Sequence, residues 1–452
     1  MREKKRRLEL ISFYDHTGME ARFAEMAQKG WLIERMSNFL WTYRKIEPQE
    51  LHFTVSYFPK ANEFDPEPSQ EQQRFFDFCR ETGWQPVCTW FQMQVFCNAQ
   101  ENPTPVNTEP ELEVEALHKA CKASFLRSYY ILFVLSLLLT LMFFSSLVSD
   151  TLRLIASPAA LAFGACSLIL LVQCSAELLA YGRWHKRAQK AAQYGMFLDT
   201  PSTHGIQKTC LALIVLWLAY WLVNVALAGN AVMAWSALFG MLWVTSAVMA
   251  AGAVKQALKK AKAPSALNRA LTAAAAFAVS LVLMGTAVRV GVYLVSDLPK
   301  EELLFETQAP LTLSDLSKTG GGADACHGEL RTLAASLSPG RDRRAGVWAG
   351  GAFDLPTMHY ELYGTTAPAV YDFCKGQLKR LIVLSAHWKG AMRQEEASPW
   401  GAQEAWRLVL QNGTPANTWL LCYADRLVRL ELDWQPTAQQ MQCVADALGQ
   451  GA

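Results

Sequence analysis

From Thr209 to Val254 the chain carries no charged side chain. A helix needs roughly 20 apolar residues to cross a bilayer, so this stretch is too long for one crossing and long enough for two. The "AGN" of residues 228–230 supplies the Gly and Asn of a tight turn between them. Similar runs recur, and the spacing predicts five spans, at about 128–149, 154–178, 209–228, 231–254 and 270–292. An odd count places the two termini on opposite sides of the membrane.

Charge sets the direction. Residues 1–126 carry 15 Lys and Arg against 19 Asp and Glu, residues 127–295 carry 13 against 3, and residues 296–452 carry 14 against 18. The basic excess of the centre sits in two loops, at Arg183, Lys186, Arg187, Lys190 and Lys208 and at Lys255, Lys259, Lys260, Lys262 and Arg269. Lys and Arg in short loops mark the cytoplasmic face. The expected localisation is therefore a multi-pass cell-membrane protein with a cytoplasmic N-terminus and an extracytoplasmic C-terminus. The opening "MREKKRR" is followed by "LELISFYD", which is not the apolar run of a signal peptide.

Two charges lie near span ends. Glu177, at the inner end of the second span, and Arg289, at the outer end of the fifth, are candidate intramembrane polar residues, because buried charges in membranes are costly and tend to be functional. The simpler expectation is that each reaches water at the headgroup level.

The N-terminal segment repeats a phrase, "EMAQKGW" at 25–31 and "FCRETGW" at 78–84. In each, a helical period (Met19, Phe23, Met26 and Ala27 in the first, Phe75, Phe78 and Cys79 in the second) ends at a Gly suited to a left-handed cap, and a Trp starts the return toward the core. With "LELISFYD", "FLWTYRKIE", "ELHFTVSYF" and "CTWFQMQVF" as strands, the order is β-α-β-β-α-β. The expected fold is ferredoxin-like, a four-stranded antiparallel sheet with both helices on one face. Trp41, Tyr43, Trp90 and Phe96 are the candidate ligand or partner surface if one sheet face is open, and core residues if it is covered. The domain's net negative charge argues against nucleic acid.

The opening "FYD", the "EMAQKGW" turn, the aromatic "FLWTYRK" strand and the second "GW" resemble the cytoplasmic domain of bacterial membrane proteins of domain of unknown function 2812 (DUF2812), closely over about residues 7–100. The resemblance implies a membrane protein in a regulatory setting. It carries no activity and no catalytic residues to transfer.

The domain layout expected is a cytoplasmic domain over 1–100, a linker and juxtamembrane helix over 101–126, a transmembrane domain over 127–296 and an extracytoplasmic α+β domain over 297–452. Glu113 to Arg127 reads as a helix running on into the first span. In the last domain "MHYELYG" reads as a strand, "APAVYDFCKGQLKRL" as a helix, and "EAWRLVLQ", "TWLLCY" and "RLVRLELDW" as a meander turning at Asn412-Gly413 and Ala424-Asp425. A helix over "TAQQMQCVADAL" follows, capped by Thr437, while "GGGADACHG" and "SPGRDRRAG" read as loops.

Four of the 11 cysteines, Cys326, Cys374, Cys422 and Cys443, fall in this outer domain and are candidates for disulfides, with buried free thiols as the other expectation. His327, His359 and His387 lack chelating spacing, and the chain has no phosphate loop, nucleophile elbow, HExxH or dinucleotide fingerprint. No catalytic residue, metal site or cofactor is expected. Two functions remain. One is a non-enzymatic regulatory or sensory protein coupling the cytoplasmic domain to the outer one, with a cytoplasmic regulatory protein or another membrane protein as partner besides the lipid bilayer. The other is a transport-related protein or transporter subunit, against which stands the lack of an inverted repeat or broken span.

Overall fold

The Gly-Trp phrase marks a duplicated β-α-β-β unit. In the computed structural model, which describes residues 3–37, 40–65, 68–149, 151–227, 231–297, 310–316, 323–327, 330–331, 335–344, 357–365, 368–386 and 390–449, the first copy is β1 (Lys4–Leu8), α1 (His16–Gln28), β2 (Trp31–Arg35) and β3 (Leu40–Lys45). The second is β4 (His52–Tyr57), α2 (Gln70–Glu81), β5 (Gln85–Trp90) and β6 (Met93–Asn98). Each copy forms its own three-stranded antiparallel sheet with its first strand outermost and its last in the middle, in the orders β1-β3-β2 and β4-β6-β5.

Local chemistry explains the elements. The Asp15 carboxylate accepts the Gly18 N–H at the start of α1, and Ser69 and Gln72 form a reciprocal capping box on α2. Both helices end at a glycine in the left-handed region, Gly30 at φ +77° and Gly83 at φ +87°, as the repeated phrase predicts. Helix α1 buries Met19, Phe23, Met26 and Ala27. Helix α2 buries Phe76 and Cys79 and leaves Phe78 exposed, so its inner face is turned one residue from the expected one.

The single four-stranded ferredoxin-like sheet is not formed. "CTWFQMQVF" is a hairpin rather than one strand, because Phe91 takes a positive φ of 52° and folds β6 back onto β5. Trp31–Arg35 pairs as a strand of its own. The first strand lies in the basic "KKRRL", while residues 9–15 are irregular and mostly buried.

Helix α3 (Pro110–Ala123) packs Leu117, Ala120 and Cys121 into the core around α1 and β4. The helix does not run on into the first span. Ser124 leaves helical geometry, at φ −127° and ψ −69°, before α4 (Phe125–Ser149) begins. The same core takes in Tyr181, Trp184 and Ala188 from the far end of α6 (Pro158–Gln193).

Four described helices are long and apolar enough to cross a membrane: α4, α6, His204–Ala226 within α7 (His204–Leu227) and Ser265–Thr286 within α9 (Ser265–Asp297). Their surfaces expose Ile131, Leu138, Met142, Val215, Leu216, Phe277 and Val282, an apolar area that fits a membrane location. The span expected at 231–254 falls within α8 (Ala231–Lys260), many of whose side chains lie outside the described residues. The short α5 (Thr151–Ala156) joins α4 to α6.

Among its described residues the C-terminal unit forms an eight-stranded antiparallel sheet. Its strands are β7 (Ala323–His327), β8 (Leu330–Arg331), β9 (Ala335–Arg344), β10 (Thr357–Thr365), β11 (Gly390–Glu395), β12 (Glu404–Leu410), β13 (Pro415–Cys422) and β14 (Arg426–Leu432). The order β11-β12-β13-β14-β10-β9-β7, with β8 also on β9, contains the expected β12-β13-β14 meander. Side chains alternate between two cores. Trp419 and Leu421 pack with α10 (Leu313–Leu316) and α12 (Ala438–Leu448), whereas Leu420 and Cys422 face α11 (Pro368–Ser385) and Ala156 of α5. The expected loops "GGGADACHG" and "SPGRDRRAG" contribute β7 and most of β9. Pairing with β10 along its length holds β9 extended despite Pro339, which lies between the stretches paired to β8 and to β7.

Candidate functional site

The "LISFYD" segment leads into the polar site of the molecule. Glu177, on α6, is 1% exposed. It does not reach water, because the N-terminal domain covers it. Ser12 donates its hydroxyl to one carboxylate oxygen at 2.8 Å, and Thr203 (2.5 Å) and the Gln207 amide (2.6 Å), at the start of α7, donate to the other. Gln207 also donates to the Ser12 hydroxyl at 2.7 Å. A carboxylate leaves water at a cost of several kcal/mol unless its lone pairs are occupied. Here three neutral donors from two chain segments occupy them, with no ion pair to Glu177 among the described residues.

A second buried acid extends the cluster. Thr200 donates to Asp15 at 2.8 Å, and the Thr200 N–H donates to the Thr17 hydroxyl at 3.1 Å. Burial pushes the Asp15 carboxyl above its ordinary range, against the Thr200 and Gly18 hydrogen bonds. Gly18 is required by this geometry, since a Cβ there would stand 2.5 Å from the Asp15 carboxylate. Between the two acids Tyr14 is fully buried against Phe125, Tyr181 and Trp184. Burial and the charge of Glu177 push its phenol upward.

A separate contact ties the same domain to the second basic loop. Lys255 pairs with Glu63 and lies 5.1 Å from the centre of the Phe64 ring, and the Arg269 guanidinium lies 5.6 Å from the same ring. Asn268 donates to the Phe64 carbonyl at 3.3 Å. The N-terminal domain thus grips the C-terminal part of α6 and the start of α7 through a buried polar cluster, and the end of α8 and the start of α9 through cations on aromatic faces. Helix α3 adds His118, whose ring stacks 4.1 Å from His185 of α6 and whose Nδ1 lies 2.8 Å from the Tyr181 hydroxyl.

The other sequence candidates lie elsewhere. Trp41, Tyr43 and Phe96 are core side chains with no open face, and half-buried Trp90 packs on Phe13 and Phe91. Arg289 is on α9, its side chain outside the described residues. Cys374, Cys422 and Cys443 carry free thiols, the first two within one apolar core, and the side chain of Cys326 lies outside the described residues. Sequence reasoning named Glu177 but not its partners. The available signal was the polar "TPSTHGIQ" immediately before an apolar span, with Thr200, Thr203 and Gln207 in it.

These features define a protein with helices long and apolar enough to cross a membrane and an N-terminal α+β domain fastened to their ends. Residues 15–133, from the capping Asp15 through α3 into the start of α4, match the family described as Protein of unknown function (DUF2812), which bears out the resemblance seen in the "EMAQKGW" and "FLWTYRK" motifs. No curated protein and no solved structure matches the chain.

Proposed function

We propose that the chain is a non-enzymatic, multi-pass membrane protein with a regulatory or sensory role, in which the cytoplasmic N-terminal domain and the membrane helices move as one coupled unit and relay a state to or from an extracytoplasmic C-terminal domain. The observation that supports it most is the buried Ser12–Glu177–Thr203–Gln207 cluster. A tether would need no buried acid, whereas a carboxylate with one oxygen served by Thr203 and Gln207 and the other by Ser12 of the domain is fully satisfied only when domain and helices are apposed, which gives that contact a definite on and off state. The basic loops of both helix pairs meet this same domain, which favours a cytoplasmic N-terminus under the positive-inside rule. Five spans then place the C-terminal domain outside.

The test is amide hydrogen exchange on the full chain in detergent. Under this reading Glu177→Ala, a change on α6, speeds exchange both in residues 9–18 of the domain and in residues 198–208 before α7. Faster exchange confined to α6 would mean that domain and helices are merely tethered.

A further inference from the structure

Next to the polar cluster, a cleft of about 630 Å³ opens between β1, α1 and the first turn of α7. Its cations are Arg6, Arg7 and Arg22 from the domain and Lys208 from α7, with His204 and Ser202 on the same wall. The acids that share the cleft already have partners. Arg22 donates to Glu9 at 2.8 Å and to Glu25 at 2.6 Å, and Asp15 is held by Thr200 and Gly18. Among the described residues Arg6 and Lys208 make no ion pair, and the Arg7 guanidinium donates a hydrogen bond to the Met26 sulfur, at 3.5 Å, with no ion pair of its own. Unneutralised cations are thus gathered at the point where α7 leaves the domain.

The neighbouring surface is apolar. Leu8 and Leu40 lie directly opposite one another across β1 and β3, 57% and 45% exposed, on the face of the sheet that also carries Lys4, Arg6 and Arg44. Paired exposed leucines beside cations are the make-up of a surface that beds into a membrane interface. A span beginning at His204 puts the exposed Lys208, one turn further on, at headgroup depth.

We propose that this cleft binds the phosphate headgroup of an anionic phospholipid of the inner leaflet. Arg6, Arg7 and Lys208 take the phosphate charge, and Leu8 and Leu40 lie against the lipid's glycerol and upper acyl region. The inference rests on the reading of α7 as a membrane span. It makes the lipid a third party at the contact between domain and helices.

The test uses the purified full chain in detergent, titrated with phosphatidylglycerol or phosphatidylcholine and read by native mass spectrometry. Wild type is expected to retain phosphatidylglycerol in preference, and Arg6→Gln, Arg7→Gln and Lys208→Gln each to weaken that retention roughly fivefold, with Lys60→Gln without effect. Equal retention of both lipids, unchanged retention in all three variants, or full displacement by millimolar inorganic phosphate would overturn the proposal. Carbonate extraction of native membranes is the separate control. A wild-type chain that washes off would remove the membrane reading itself, while one that stays leaves the lipid result to decide the cleft.

Discussion

The Ser12 hydroxyl donates at 2.8 Å to the carboxylate of Glu177, a residue 165 positions further along the chain. The bond joins an irregular segment of the N-terminal domain to a helix long enough to cross a membrane. Ser12→Ala removes one donor and leaves a lone pair of a buried carboxylate unoccupied, at a cost of roughly 1–3 kcal/mol. Glu177→Ala strips three donors of their acceptor and should cost at least as much, whereas Glu177→Gln keeps an acceptor and should cost less. Thermal unfolding of the detergent-solubilised chain ranks the three, and an unchanged midpoint in all of them would show that the cluster holds nothing together.

How much of this was legible differs by element. The cap at Thr437, the left-handed Gly30 and Gly83 and the meander of β12 to β14 are local, and short-range pattern revealed them. The hairpin at Phe91 was hidden because its turn carries Phe and Gln rather than Gly or Asn. The strand at Ala335–Arg344 was hidden because its extended form comes from pairing with β10, not from its own Ser, Pro, Gly and Arg content. Glu177 was visible as an isolated acid, but its burial depends on residues far away in sequence, and no periodicity encodes that.

Gly18 tests the second acid. Ala is worth about 1 kcal/mol over Gly inside a helix, so propensity alone expects Gly18→Ala to stabilise α1. The new Cβ would stand 2.5 Å from the Asp15 carboxylate, which is itself backed by Thr200. The expected outcome is a net loss of roughly 1–3 kcal/mol. In the double variant Asp15→Ala/Gly18→Ala the clash disappears, so the two changes should be strongly non-additive in a thermal-melt cycle.

Glu20 sets a pH dependence. Burial raises its carboxyl to about 7, partly offset by the nearby His16 and by the Val55 N–H that it accepts at 2.7 Å. Below the unfolded value near 4.5 the group is protonated in both states and contributes nothing. As pH rises from there through about 7 the unfolded chain ionises first, so the folded state progressively loses stability. Glu20→Gln keeps an acceptor for Val55 and removes the ionisation. It should leave stability at about pH 4.5 nearly unchanged and raise it at about pH 8 by roughly 1–2 kcal/mol, since partial exposure tempers the full shift. A variant whose gain is the same at both pH values would contradict this assignment.

In the C-terminal unit, Gln440 is the better target than the cap it serves. Thr437 accepts the Gln440 N–H, and the Gln440 side chain accepts the Thr437 N–H at 2.9 Å while donating to the Leu316 carbonyl of α10 at 2.8 Å. Thr437→Ala should cost about 1 kcal/mol. Gln440→Ala loses the reciprocal cap and the tie to α10 together, so it should cost more, and denaturant unfolding measures the order.

Topology decides whether a relay between two compartments is physically available. Asn412 lies in the exposed turn between β12 and β13, and Lys60 is an exposed residue of the N-terminal domain. Neither substitution disturbs a core, so Asn412→Cys and Lys60→Cys report location rather than folding. The ten described native thiols are buried or half-buried and give the background to subtract. With a membrane-impermeant maleimide on intact cells, five spans predict that the Asn412→Cys variant is labelled and that the Lys60→Cys variant is not until the cells are opened. Equal labelling of both variants in intact cells would mean an even number of crossings. The two folded units would then share one compartment, and the buried acid at Glu177 would serve to hold a domain in place rather than to pass a state across the membrane.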